Sequence, residues 1–117
     1  MITEPWCGDA SHIVPFIQMM AELNPLIHVD YELRDAEPNR INEYLTNGSK
    51  AIPKLIIRNG EGKDLATWGP RPAECQVLYK ELHESKAPFE EVKIALQNWY
   101  NEHNGVEIQQ EITALFE

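Results

Sequence analysis

Covalent chemistry in this chain of 117 residues is most plausible at Cys7, in the string Glu4-Pro5-Trp6-Cys7-Gly8-Asp9-Ala10. The string stands where a short extended segment gives way to a helix. A thiol in the first helical turn lies among unpaired backbone N–H groups and the positive end of the macrodipole, and both favour thiolate over thiol. Such a sulfur is a nucleophile suited to attack on a disulfide. Trp6 supplies a flat apolar wall beside it, and Gly8 permits close approach of another backbone. Asp9 works in the opposite direction, because a nearby carboxylate disfavours thiolate. A moderate net lowering of the thiol pKa is expected. The other cysteine, Cys75, reads as a small buried hydrophobe. Two cysteines are too few for a disulfide scaffold, and His12, His28, His83 and His103 show no metal-ligand spacing, so no metal site is expected. His12 lies five positions after Cys7 on the same helix and reads as a surface histidine rather than a partner of the thiolate.

The elements that must position Cys7 follow from periodicity. Ile2 to Glu4 is a short strand. Cys7 to Leu23 reads as a helix with its apolar stripe at Ile13, Phe16, Ile17, Met20 and Leu23, kinked by Pro15 and stopped at Asn24-Pro25. Alternation from Leu26 to Leu33 predicts a strand, with Ile27, Val29, Tyr31 and Leu33 on one face. A short helix through Ile41, Tyr44 and Leu45 ends at Asn47-Gly48. Lys54 to Arg58 and Leu65 to Trp68 read as a hairpin turned at Asn59-Gly60, with Trp68 a packing aromatic at the sheet edge. After Gly69-Pro70-Arg71-Pro72, a helix from Ala73 to Glu84 buries Val77, Leu78 and Leu82 beside Tyr79. A further helix begins at Pro88 with the stripe Phe89, Val92, Leu96, Trp99 and Tyr100, is capped at Asn104-Gly105, and is followed by a short one through Ile108, Ile112, Leu115 and Phe116. The class is α/β, a mixed sheet with helices on both faces.

Trp6-Cys7-Gly8, Pro15 eight residues after the cysteine, Ile52-Pro53 opening a strand, and Asn59-Gly60 at its end together resemble the thioredoxin family. The resemblance covers roughly residues 2–85. It implies that Cys7 is the attacking cysteine, Pro15 the helix kink and Pro53 a cis-proline, with the Ile52 backbone holding a substrate strand and Gly69 on the substrate-binding surface. Trp-Cys-Gly-Asp with Gly-Pro-Arg-Pro is similar to a bacterial thioredoxin-like subgroup. Ala10 stands where the family has its resolving cysteine, so a mixed disulfide on Cys7 needs an external low-molecular-weight thiol for release. The family's first strand and helix have no counterpart ahead of Cys7, which predicts a short central sheet and either self-association, as a homodimer, or marginal stability. Residues 1–87 are expected to form the thioredoxin-like domain and residues 88–117 a helical extension, packed on the same domain or on a partner subunit.

Composition restricts the partners. A formal charge of −9 repels phosphate backbones and anionic lipid, so neither nucleic acid nor membrane is expected. The N-terminus lacks the basic and apolar segments of a signal peptide, which predicts a cytoplasmic protein. No Cys-Gly-Phe-Ser motif of the monothiol glutaredoxins is present, and no cofactor is expected. The expected function is monothiol-type thiol–disulfide exchange with protein or small-molecule disulfides through Cys7, with Trp6, Gly8, Asp9, Ile52, Pro53 and Gly69 contacting substrate. The alternative is a thioredoxin-fold adaptor that grips an extended peptide without turnover.

Overall fold

The computed structural model describes residues 1–116. Strand β1 (Ile2–Thr3) leads through Cys7 into helix α1 (Gly8–Glu22), and strand β2 (Glu32–Leu33) follows. A single 3₁₀ turn, Arg40–Glu43, precedes the hairpin of β3 (Leu55–Arg58) and β4 (Asp64–Trp68). Three helices complete the chain: α2 (Ala73–Glu84), α3 (Phe89–His103) and α4 (Val106–Ala114). β1 pairs in parallel with β2 through Ile2↔Glu32 and Thr3↔Leu33, and β3 pairs antiparallel with β4. An antiparallel bridge between Ile2 and Lys54 joins the two pairs, with reciprocal N–H to O distances of 2.8 and 2.9 Å. β1 is therefore short but bonded on both sides, and the unpaired edges among the described strands belong to β2 and β4 rather than to the centre of the sheet.

Adjacent strand residues point to opposite faces, and the two apolar clusters divide accordingly. Leu55 packs against the larger one, which joins Ile13 and Ile17 of α1, Trp68 of β4 and Cys75 of α2 to α3 and α4. Ile56 packs against the smaller one, formed by Ile2, Ile41 and Ile52. Leu96, Trp99 and Tyr100 of α3 and Ile108 and Ile112 of α4 are buried in the larger cluster, so the C-terminal helices complete the main core of this chain. α3 is capped by Asn104 at φ 52°, and Gly105 at φ 74° is the N-cap of α4. This left-handed pair reverses the chain tightly enough that a Cβ on Gly105 would stand 2.4 Å from the Phe16 ring.

Several expectations change. Strand pairing spans Glu32–Leu33 instead of Leu26 to Leu33, because β1 offers only two residues to pair with; Leu26 is left exposed. The buried face of α1 is Ala10, Ile13, Ile17 and Ala21, with Leu23 exposed past its end. In α2 the fully buried residue is Cys75 and Val77 is exposed, and in α3 Phe89 is exposed. The predicted helix through Leu45 is a 3₁₀ turn that closes at Tyr44. The hairpin forms without a two-residue Asn-Gly turn. The Asn59 side chain accepts from the amides of Glu61 and Lys63, and the positive φ falls on Gly62. This Asx-type capping competes with the tight turn. Trp68 lies in the core rather than at a surface edge.

Glu111 of α4 ties the last helix to α2. Its carboxylate accepts from the Trp68 indole and from the Ala73 amide, both at 3.0 Å, and so fills an orphan N–H in the first turn of α2. Glu111→Ala is expected to lower the unfolding free energy by about 1–3 kcal/mol, the range for charged hydrogen bonds and orphaned donors. Chemical denaturation measures this, and a loss below about 0.5 kcal/mol, the level of an uninvolved surface change, would show that Glu111 carries no such role.

Candidate active site

Cys7 is the N-cap residue of α1, with extended backbone (φ −78°, ψ 121°). Its partly buried thiol donates to the Ile52 carbonyl at 3.5 Å. The Ile52–Pro53 peptide bond is cis, and both residues are buried. The loop that opens β3 therefore lies against the sulfur, as the pattern of Ile52 and Pro53 implies. Trp6 is 62% exposed beside the thiol, and its ring lies 4.7 Å from the Arg34 guanidinium. A Cβ on Gly8 would touch nothing within 4 Å, so the backbone approach expected there does not occur within the chain. Gly69 is the crowded glycine. Its φ is 119°, and an added Cβ would stand 2.3 Å from the Pro53 carbonyl oxygen.

Burial pushes the Cys7 thiol above its ordinary value. The Ala10 amide lowers it, the Asp9 carboxylate raises it further, and the Asp9 amide and Arg71 pull it down by less. The net direction reverses the expectation from sequence. The helix N-terminus does favour thiolate here, but a sulfur packed beneath the Ile52 carbonyl loses more hydration than the amides return.

The Asp9 carboxylate is fully engaged. Oδ1 accepts from Arg71 Nε at 3.0 Å and from the Tyr100 hydroxyl at 2.6 Å, while Oδ2 accepts from Arg71 Nη2 at 2.9 Å. Asp9 and Arg71 are only 12% and 13% exposed at their side chains. Arg71 also donates to Gln76 and lies 4.0 Å from the Tyr79 ring centroid. Burial first, then the charge of Asp9, drives the Tyr100 phenol far above its ordinary range. The His12 ring stacks on Tyr100, with centroids 4.7 Å apart. Cys75 lies beneath this group, with no solvent exposure and its thiol pushed up to about 11 by burial.

Lys54, next to Pro53, is 8% exposed. Its ammonium donates to Thr46 Oγ1 at 3.1 Å and to the Gly69 carbonyl at 3.3 Å, and burial draws its pKa down. Lys54 thereby holds the Gly69 segment against the start of β3. Arg71, Tyr100 and Lys54 were not identified from sequence as parts of the site. Arg71 stood in a visible Gly-Pro-Arg-Pro string, but nothing local links it to Asp9, 62 residues earlier.

A thiol at a helix N-terminus facing an Ile-Pro turn at the mouth of a β-hairpin defines a thioredoxin-like site. The family model described as Thioredoxin matches residues 1–85, and the chain belongs to the thioredoxin family. Comparisons with curated proteins and with solved structures return no match. Among the described residues, no helix is long and apolar enough to cross a membrane.

Proposed function

We propose that this thioredoxin-family chain carries out thiol–disulfide exchange of monothiol type through Cys7. The observation that carries the reading is the Cys7 sulfur at 3.5 Å from the Ile52 carbonyl, with Pro53 beside it and Trp6 open to solvent. A disulfide R–S–S–R′ would be attacked by the Cys7 thiolate to give Cys7–S–S–R and R′S⁻. A small thiolate R″S⁻ then attacks the sulfur of R, releasing Cys7 as thiolate and forming R–S–S–R″. Ile52 and Pro53 align the substrate backbone, while Trp6, Gly8 and Gly69 border it. Asp9 acts from behind, since its carboxylate oxygens are engaged by Arg71 and Tyr100. A reducing cytoplasm fits two unpaired thiols, and the Trp-Cys-Gly-Asp string with Gly-Pro-Arg-Pro is the ground for a bacterial thioredoxin-like subgroup.

The raised thiol pKa favours a second reading, an adaptor that grips an extended peptide at the same groove. One measurement separates the two. Alkylation of Cys7 by iodoacetamide, followed against pH, is expected to have its midpoint above the free-cysteine value of about 8.5. Asp9→Asn should lower that midpoint by removing a neighbouring negative charge. Intact mass after incubation with oxidised glutathione should show a single adduct that grows with pH and is lost in Cys7→Ser. No Cys7-dependent adduct at any pH up to the alkylation midpoint would sink the exchange reading and leave the adaptor.

A further inference from the structure

Lys54 carries a charge that nothing near it balances. The residue is 8% exposed, yet its ammonium forms no ion pair with any carboxylate among the described residues. Its two hydrogen bonds go to neutral oxygens, Thr46 Oγ1 and the Gly69 carbonyl, and an ammonium has three N–H groups to place. Burial lowers its pKa, and no neighbouring carboxylate offsets that. A buried cation without a countercharge is costly, so such groups are ordinarily paired or neutralised.

Lys54 and both of its partners line one cavity of about 280 Å³, so Nζ lies on the cavity wall. The other charged groups there are occupied. Arg71 is taken up by Asp9 and Gln76, and the two Glu111 oxygens accept from Trp68 and Ala73. The third N–H and the charge of Lys54 are left for an entering anion. The cavity also borders the exchange groove. Gly69 packs against the Pro53 carbonyl, and the Ile52 carbonyl before it accepts from the Cys7 thiol.

We propose that this cavity binds one carboxylate on Lys54 Nζ and, resting on the exchange reading, that the carboxylate belongs to the low-molecular-weight thiol that frees Cys7. A monoanion fits better than a phosphate dianion, because Glu111 on the wall and the chain's charge of −9 oppose further negative charge. The volume lies at the lower end for ligand sites, about 300 Å³, which suits a small acid. The step is Cys7–S–S–R + R″S⁻ → Cys7–S⁻ + R–S–S–R″. The sulfur–sulfur bond to Cys7 breaks, a new one joins R to R″, and Cys7 leaves with the electron pair. Lys54 takes no part in the bond changes. By holding the carboxylate of R″ it turns a chance encounter into a positioned attack.

The test uses two pairs of probes that differ only as carboxylate and amide: N-acetylcysteine with its amide, and the thiol-free N-acetylalanine with its amide. In ¹⁵N NMR of the full chain carrying Cys7→Ser, N-acetylalanine is expected to shift the Lys54 and Gly69 amide signals saturably, and its amide to leave them in place. Lys54→Met should weaken this binding by about tenfold or more, the scale of one charged hydrogen bond. Lys54→Gln serves if the methionine variant fails to fold. For the thiol, the Cys7 adduct with hydroxyethyl disulfide is prepared and its loss followed by quenched intact mass. Each rate is divided by that of the same thiol with free hydroxyethyl disulfide, which removes differences in thiol pKa. N-acetylcysteine should then exceed its amide by about tenfold or more, and the advantage should vanish in the Lys54 variant. Absence of N-acetylalanine binding, or binding indifferent to Lys54, would overturn the carboxylate site. Binding without a rate advantage would overturn its assignment to the thiol. If no Cys7 adduct forms, the exchange reading fails by itself, and the N-acetylalanine titration still decides the site.

Discussion

Replacing Arg71 with alanine is expected to lower the unfolding free energy by about 3–5 kcal/mol, the range for removing one partner of a buried ion pair. The guanidinium makes a two-pronged contact with Asp9, and both side chains are almost enclosed, at 13% and 12% exposure. Without Arg71 the carboxylate keeps the Tyr100 hydroxyl but loses its countercharge, and solvation cannot restore it at that depth. The double variant Asp9→Asn/Arg71→Ala should recover part of the loss, because the stranded charge is gone. Urea melts of the three variants form the cycle. A second readout links the pair to the thiol. Asp9 raises the Cys7 pKa and Arg71 lowers it, so Arg71→Ala should move the alkylation midpoint up. A loss under about 1 kcal/mol, as for a solvated surface pair, together with an unmoved midpoint, would show that the pair neither supports the fold nor influences Cys7.

Gly69→Ala is the other large effect. At φ 119° an alanine is strained before any contact is considered, and its Cβ would press to 2.3 Å on the Pro53 carbonyl oxygen. That obstacle is backbone, so no side-chain rotation relieves it. Strain of about 1–3 kcal/mol and a similar penalty for overpacking should together cost about 2–6 kcal/mol. The displaced segment is the one that carries Ile52 to Cys7. If the variant folds, adduct formation at Cys7 should therefore fall while Cys7 alkylation remains measurable. For stability, Gly8→Ala is the control, since its Cβ meets nothing within 4 Å of the chain and φ is not positive. Equal stability of Gly69→Ala and the parent chain would refute the steric argument.

What the sequence made legible was local. Trp6-Cys7-Gly8 before an apolar 3.6-residue repeat placed the thiol at the start of α1, and Ile52-Pro53 with Asn59-Gly60 placed the hairpin. The fold class followed from the same elements. Failures arose where a partner decides. Alternation from Leu26 to Leu33 is a strand pattern, yet a strand needs a neighbour, and β1 supplies two residues. Asn59-Gly60 marks a turn, but the Asn59 side chain takes the amides of Glu61 and Lys63 and lengthens it. The thiol's electrostatics were misjudged because the helix N-terminus is visible in a sequence and burial under a carbonyl is not. Asp9, Arg71 and Tyr100 meet across separations of 62 and 91 residues, which no local pattern encodes.

The Tyr100 hydroxyl on Asp9 has a consequence for how this thiol can diversify. Residues 1–85 carry the family match, and Tyr100 lies outside them. A substitution in α3 can therefore strip a hydrogen bond from the carboxylate beside Cys7 while leaving every residue of the matched segment untouched. Two chains with the same Trp-Cys-Gly-Asp string can differ in thiol reactivity through a helix that the string does not include, and their chemistry must be compared over the full chain.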